Sequence, residues 1–447
     1  MKITIIGGGS LFFSRRMLMG MMELPAYRGA ELALVETDPW RCEQIGRYAQ
    51  RLNNETGRHV TVSCTTERRD VLAGSDYVIL TFSNNNAHSR GVGAHICRNY
   101  GIIECSGDTA GPGSVMRVIR EVPAILEVAR DIEQLAPTAR VMNYVNPTNV
   151  IAAALDRYTS LNWTSLCDGM YPRGLAPRLC KYLGVEPTDE NRQALKLEVS
   201  GINHFVWMTG LTLGGQDVFG RFADALRADA MANPAGDARS EWDLMETFGA
   251  WPAVIWHTKE YVRYFQGRGS RPQRDFVVTP WDLGERLKWQ HEAWRTIADY
   301  AAGRITLEQA AGDSHVSRRE MLVDIIEAMI EGRREPFPVN VRNSGRVSNL
   351  PDDCIVELFG TTDPSGFDVP PAGDLPLGIR AMVYQALDQQ ELALEAAMTG
   401  SFELAARAIA CDPLVMSLSD ARQLTHELLA AENDYLPPAW EEYWKQQ

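Results

Sequence analysis

The sequence predicts an α/β protein: a doubly wound, mainly parallel sheet in the N-terminal part, followed by a second, largely helical α+β domain. Three observations predict this. Residues 2–6 form a short apolar run that ends at Gly7-Gly8-Gly9. Strand-like and helix-like runs then alternate over roughly the first 160–190 residues. Beyond residue 215 the texture changes to Trp-rich, charged segments with long helical periodicity.

Taken in order, residues 10–22 have helix-compatible content, and residues 32–35 read as a second strand ending at Glu36. Residues 41–52 carry Ile45, Tyr48 and Leu52 at helical spacing, and 60–63 read as a third strand. The unbroken apolar run 76–81 suits a parallel strand buried on both faces. Residues 116–132 place Ile119, Val122, Leu126 and Ile132 along one side of a long helix, and 140–144 form a further strand stopped by Asn146-Pro147. Residues 164–166 and 195–200 read as strands ending at Cys167 and Gly201. Both are expected in one sheet, at the strand ends where ligand sites gather. In the second half, helices are expected at 285–302, 307–333, 379–410 and 418–432. Short strands are expected at 339–347 and 354–358, with a Pro/Gly-rich connection at 364–376.

At 447 residues the chain exceeds one ordinary core. A net charge of −14 without any basic block argues against nucleic acid or an anionic membrane as partner. No apolar run is long enough to span a bilayer, and the N-terminus lacks the pattern of a signal peptide. The eight cysteines are scattered, with no Cys-x-x-Cys pair, which fits a reduced cytoplasmic protein better than a disulfide framework.

Gly7-x-Gly9, with Phe12 where a third glycine would stand, is a weak dinucleotide fingerprint that a plain strand–helix turn also satisfies. In the functional reading, small residues let the backbone approach a pyrophosphate at a helix N-terminus, and Phe12 implies looser helix–strand packing. Glu36 or Asp38 would accept hydrogen bonds from an adenosine ribose, and a carboxylate there favours NAD over NADP. The candidate cofactor set is Gly7, Gly9, Ser10, Leu11, Phe12, Glu36, Asp38 and Ser83. Residues 1–195 are therefore expected to form a Rossmann-like NAD-binding domain. Residues 196–447 are expected to bind substrate and metal and to oligomerise, in an architecture like that of lactate and malate dehydrogenases. Cys167, in Cys-Asp-Gly-Met, and His204, in Gly-Ile-Asn-His, are candidate ligands, since a thiolate and an imidazole together hold a soft or borderline divalent metal. Spacing alone proves no site; a buried thiol and a core histidine are the plain alternatives.

On these motifs the chain resembles glycoside hydrolase family 4, the NAD- and Mn-dependent glycosidases, over nearly its whole length. The resemblance is carried by Gly-Gly-Gly-Ser10, Asp108-Thr-Ala-Gly-Pro-Gly113 with Met116-Arg117, Asn143-Tyr-Val-Asn-Pro147, Cys167-Asp168 and Gly201-Ile-Asn-His204. Further on it includes Glu260-Tyr-Val-Arg-Tyr-Phe265, Asn343-x-Gly345, Asn349-Leu-Pro351, Glu395-Ala-Ala397 and Asp412-Pro-Leu414. It implies hydrolysis of an O-glycoside outside the usual two-carboxylate scheme. NAD transiently oxidises C3, a base removes the C2 proton, a divalent metal on O2 and O3 stabilises the charge, the leaving group is eliminated and water adds.

Residue roles follow from the same resemblance. It implies Cys167 and His204 as ligands of Mn²⁺, although thiolate and imidazole by themselves suit Zn²⁺ better. It implies Tyr261 as the C2 base, its phenol acidified by the metal and Arg263, with Tyr264 as the alternative. Asp168 matches a general acid to the leaving oxygen or, equally, a supporting or capping aspartate. Asn146 and Asn203 would bind sugar hydroxyls. Many members acting on unphosphorylated sugars have His at the Asp168 position, which leaves the substrate open. Residues 81–86 hold no arginine before Arg90, which disfavours a sugar phosphate. Arg90 and Arg263 are the expected partners of a uronate carboxylate. The expected substrate is an unphosphorylated α-glycoside or α-uronide, acted on by a homodimer or homotetramer. The rival readings are a 6-phospho-α-glucosidase, an NAD-dependent 2-hydroxyacid dehydrogenase and a non-catalytic sensor.

Overall fold

The computed structural model describes residues 1–268, 278, 281–311 and 319–445. Strands β1 (Lys2–Ile6), β2 (Glu31–Val35), β3 (Thr61–Thr65), β4 (Tyr77–Leu80), β5 (Arg140–Asn143) and β6 (Asn162–Ser165) pair in parallel in the order 3-2-1-4-5-6. This is the doubly wound order, whose switch point lies between β1 and β4. Ile3, Ile5, Leu32, Leu34, Ile79 and Met142 enter the core on one face. Ile6, Val35, Val78, Leu80 and Val141 enter it on the other. Both faces are covered, which is why these strands read as continuous apolar runs.

A second sheet is antiparallel and comprises β7 (Leu195–Ile202), β8 (Phe205–Leu213), β9 (Gln216–Asp217) and β10 (Trp251–Pro252). The main sheet then draws on the C-terminal half of the chain. β11 (Pro336–Arg342), β12 (Ile355–Asp363) and β13 (Gly366–Asp368) extend it antiparallel beyond β6, to nine strands. One expectation is thereby corrected. Cys167 follows β6 of the first sheet, whereas Asn203 and His204 form the turn of the β7–β8 hairpin in the second. The site is assembled between two sheets.

Helices Ser14–Glu23 and Pro39–Thr56 pack on one face of the main sheet. Pro112–Leu135 and the C-terminal helices Leu377–Thr399, Phe402–Cys411 and Leu418–Ala431 cover the other. The single helix expected over 379–410 is broken. Gly400 takes a left-handed φ of 67° as the cap of one helix, and Ser401 caps the next by accepting the Leu404 N–H. The helix expected over 307–333 is Leu307–Ala311 and Met321–Glu331, with 312–318 outside the described residues. The strand expected over 339–347 stops at Arg342. There the Asn343 side chain turns the chain, accepting the Val347 N–H at 2.7 Å and donating to the Val347 carbonyl at 3.0 Å. Among the described residues no helix is long and apolar enough to cross a membrane.

Candidate active site

The glycine turn lies at the C-terminal end of β1, beside the switch point. The Gly7 and Gly8 N–H groups donate to the Val35 carbonyl at 3.0 and 2.8 Å. Gly7 has φ 95°, and a Cβ there would lie 2.6 Å from the Thr81 and Phe82 backbone, so only glycine fits. The following helix starts at Ser14 rather than Ser10, and the Ser14 hydroxyl donates to the Gly7 carbonyl at 3.1 Å. Leu11 is half-buried, while Phe12 is 40% exposed with the Arg16 guanidinium 4.5 Å from its ring centre. Phe12 therefore turns its ring toward solvent and Arg16. Glu36 lies over the turn, where a Cβ on Gly9 would collide with its carboxylate. Asp38 instead caps helix Pro39–Thr56, accepting the Arg41 N–H at 2.8 Å. The Ser83 hydroxyl donates to Glu121.

The second half of the site forms around the hairpin turn. Ile202 pairs with Phe205, so Asn203 and His204 are the whole turn. His204 has φ 64°, a left-handed conformation that costs a non-glycine residue roughly 1–3 kcal/mol. Glu357 on β12 holds it there, accepting the His204 N–H at 3.2 Å. Cys167 Sγ lies 2.8 Å from His204 Nε2, and Thr109 Oγ1 lies 3.1 Å from Nδ1. The His257 ring stacks on His204 at 3.8 Å. The Tyr261 hydroxyl donates to the Asn203 carbonyl at 3.0 Å, and its ring stacks on Phe205 at 4.6 Å. The fold thus brings Cys167, Asn203, His204 and Tyr261 together, with His204 3% and Tyr261 4% exposed.

Asn203 Oδ1 and Glu357 Oε1 are buried without a hydrogen-bond partner. Orphaned acceptors beside a thiol and an imidazole suit a cation. Among the described residues no group of three His, Cys, Asp or Glu is gathered as a metal cage. A divalent ion would therefore take Cys167 and His204 from this chain and keep positions open for water or substrate oxygens.

The remaining candidates are placed as follows. Asp168 begins the short turn of helix Asp168–Met170 and is half-buried. Asn146 precedes Pro147 through a cis peptide, and its Oδ1 accepts from the Thr148 hydroxyl at 2.6 Å. Arg90 donates to the Ser106 carbonyl at 2.7 Å and lies 3.3 Å from Asp108. Arg263 and Tyr264 are exposed.

Sequence reasoning missed the buried acids that fix this geometry. Loop 106–113 is held by three of them. Glu260 accepts the Ser106 and Gly107 N–H groups, Asp412 the Gly111 N–H at 2.9 Å, and Glu104 the Gly113 N–H at 2.8 Å. Glu260 and Asp412 had stood unassigned inside recognised motifs. Glu357 had a signal of its own: a lone acid within the apolar run Ile355-Val356-Glu357-Leu358.

The arrangement has counterparts. The family model "Family 4 glycosyl hydrolase" matches residues 2–185, and "Family 4 glycosyl hydrolase C-terminal domain" matches residues 199–415. The chain belongs to family 4 of the glycosyl hydrolases. It is 28% identical to an alpha-galactosidase of Bacillus subtilis over 98% of this chain and 99% of that protein. It is also 28% identical to an alpha-galacturonidase of the same organism over 96% of each chain. A 6-phospho-alpha-glucosidase from gut microorganisms, solved in complex with NAD and Mn²⁺, shares the fold with a TM-score of 0.84, at 20% identity over 98% of this chain and 99% of that one.

In this family 4 glycosyl hydrolase, burial governs the electrostatics of the site. It pushes the Cys167 thiol up, with Glu357 and Asp168 adding to the shift, and it pushes His204 well down, with His257 adding. A cation bound at Cys167 would have to displace the thiol proton, so its affinity would rise with pH. Burial also raises Tyr261 and Asp168. Burial opposes ionisation of Asp108 too, but Arg90 and Arg117 hold it well below the usual carboxylate range.

Burial pushes Glu104, Glu320 and Glu357 up to about 8 and Asp412 to about 6. A carboxyl raised in the folded state holds its proton more tightly than in the unfolded chain. Its stabilisation is full below about pH 4 and is lost as pH rises through the folded value. The metal-free protein should therefore melt at lower temperature at pH 8.5 than at pH 5.5. Glu104→Gln, which keeps an acceptor for the Gly113 N–H, should remove on the order of a few kcal/mol from the stability difference between those two pH values. Thermal melts across pH check this; an unchanged slope in the variant counts against a protonated Glu104.

Proposed function

We propose that this chain hydrolyses an unphosphorylated α-hexoside by transient oxidation at C3, deprotonation at C2, elimination and addition of water. The observation that carries the reading is the buried contact between Cys167 and His204 Nε2 at 2.8 Å, with Tyr261 bound to the carbonyl of the adjoining Asn203. When bound, NAD would supply a hydride acceptor and a divalent metal a Lewis acid.

The chain does the rest. Cys167 and His204 would hold the metal. The turn at Gly7–Gly9 and Ser10 would receive the pyrophosphate. Glu36 meets the adenosine ribose, because Asp38 is already used as a helix cap. Tyr261 takes the C2 proton, and Asn146 and Asn203 orient sugar hydroxyls. Asp168 gives a proton to the leaving oxygen, a role supported by the burial that favours its protonated form.

The contacts of Arg90 weigh against a uronide. Its donors already engage the Ser106 carbonyl at 2.7 Å, the Ser106 hydroxyl at 3.1 Å and Asp108 at 3.3 Å, so a uronate carboxylate would have to compete for them. This supports a neutral hexoside over a uronide. The similarity to an alpha-galactosidase supports the same choice.

A panel of α-hexosides, uronides and 6-phosphates, each with and without NAD, Mn²⁺ and thiol, tests the proposal. Release of hexose that needs both additions, without net NADH, is expected. Stoichiometric NADH would return the dehydrogenase reading. Asp168→Asn should slow hydrolysis of a methyl glycoside by about 10²-fold or more and leave a nitrophenyl glycoside nearly unchanged, because nitrophenolate leaves without a proton. Equal losses on the two substrates would exclude Asp168 as the acid.

A further inference from the structure

Two thiols meet at the β3 edge of the main sheet, at the other end of the parallel strand order from β6 and Cys167. Cys42 Sγ lies 2.7 Å from Cys64 Sγ. Among the described residues this is the one contact between two free cysteines. The local fold explains it. Cys42 lies near the start of helix Pro39–Thr56, and Gly46 follows one turn later on the same face. A Cβ on Gly46 would lie 3.1 Å from the Cys64 Cβ, so the missing side chain lets the helix settle close over β3. The two sulfurs also flank Glu36. The Glu36 N–H donates to the Thr65 carbonyl at 3.1 Å, and the Asp38 N–H donates to Glu36 Oε1 at 3.1 Å. Thr65 directly follows Cys64, and Asp38 caps the helix that carries Cys42. A bond between the sulfurs would close a ring of chain about Glu36, the residue proposed to meet the adenosine ribose.

A disulfide holds its sulfurs about 2.05 Å apart, so a shift of under about 1 Å joins these two. Cys42 is buried, whereas Cys64 is half-buried and within reach of a small oxidant. Burial and the hydrogen bond with Cys42 push the Cys64 thiol up, with Glu36 adding, so the pair rests as two thiols until an oxidant is in excess. We propose that Cys42 and Cys64 form a reversible disulfide when the protein meets a hydroperoxide, and that the bond ties helix Pro39–Thr56 to β3 beside Glu36. The Cys64 sulfur attacks one peroxide oxygen and becomes a sulfenic acid; the hydroxide that leaves takes the thiol proton and departs as water. The Cys42 sulfur then displaces hydroxide from the sulfenic sulfur, and that hydroxide leaves with the Cys42 proton as a second water. The two thiols give up two electrons and two protons, and hydrogen peroxide is reduced to two waters. A dithiol reductant reverses the bond by exchange. Formation of the bond does not depend on the hydrolase reading.

The test treats the full-length protein with hydrogen peroxide, quenches it, alkylates it with N-ethylmaleimide in denaturant and maps the peptides by mass spectrometry. A peptide pair linked through Cys42 and Cys64 should be the main cross-linked product, and dithiothreitol should return both residues to the alkylated form. Thermal melts give a second readout. The bond would close a loop between positions 22 apart in sequence, which restricts the unfolded chain. Oxidised wild type should therefore melt a few degrees above reduced wild type, while Cys42→Ser and Cys64→Ser show no such rise. Those variants keep Cys167, so any effect of its oxidation appears in them as well and is subtracted. Recovery of Cys42 and Cys64 in alkylated form after peroxide, or links that join other cysteines instead, would overturn the proposal. A linked protein whose melt is unchanged, or a rise of equal size in the serine variants, would overturn the tie between helix and strand.

Discussion

Cys167→Ser will leave the fold intact and remove hydrolysis. The serine hydroxyl can replace the thiol in the 2.8 Å contact with His204 Nε2, so the melting temperature of the metal-free protein should shift by only a few degrees. It cannot replace a thiolate as a ligand, because an alcohol stays protonated where a metal-bound thiol does not. Loss of a Lewis acid worth several kcal/mol in the transition state corresponds to a fall in kcat of about 10³-fold or more. Mn²⁺ affinity, read by calorimetry or electron paramagnetic resonance, should weaken by at least about 10-fold, while NAD affinity, read by fluorescence, should be unchanged. The two readouts separate a lost ligand from a disturbed fold. Wild-type Mn²⁺ affinity in the variant would remove Cys167 from the site. Oxidation of the same thiol should mimic the substitution and be reversed by reductant while it remains at the sulfenic stage.

The parallel half of the fold was legible because its strands are buried on both faces and short turns separate them from helices. The 76–81 run and the Ile119/Val122/Leu126/Ile132 stripe carry their own periodicity, and both elements appear, as β4 and within helix Pro112–Leu135. Pairing over long range leaves no such mark. β11 and β12 read as strands, but nothing local shows that they continue the first sheet from β6. The sequence puts His204 at a strand end because Gly201 reads as a stop to the run. Yet the apolar residues Phe205 to Met208 resume at once, as the return strand of a hairpin must. Positive φ is uncommon for any non-glycine residue, and although histidine is among those enriched there, propensity gave only a faint sign of the turn. The choice between Glu36 and Asp38 was open in the sequence although a cue existed. Asp38 before Pro39 is a helix cap followed by proline at the first helical position. Glu104 had no cue, since its role appears only when glycines of the 106–113 loop fold back onto it.

Tyr261→Phe should separate the two halves of the chemistry. The hydroxyl donates to the Asn203 carbonyl, so in the metal-free protein the phenol is held as a donor and not as a base. Burial is the main reason, and Glu260, Glu357 and Cys167 add to it. In the proposed site, a cation held by the neighbouring Cys167 and His204 would reverse that balance, in the way a metal lowers the pKa of groups beside it. As the proposed base, Tyr261 would work when deprotonated, so kcat should rise with pH up to the phenol's value in the loaded enzyme, and that limb should move when the metal is changed. Phenylalanine keeps the stack on Phe205 at 4.6 Å and removes only the hydroxyl, so the fold should survive. The expected loss in kcat is about 10²–10⁴-fold, the usual contribution of a positioned base. Solvent deuterium should no longer enter at C2 of recovered sugar. A first-turnover NADH signal should persist, because in the proposed mechanism C3 oxidation does not require the phenol. Continued C2 exchange in Tyr261→Phe would pass the base role to another group, with the exposed Tyr264 first in line. Loss of the NADH signal along with the exchange would mean that the phenol positions the sugar and is not the base.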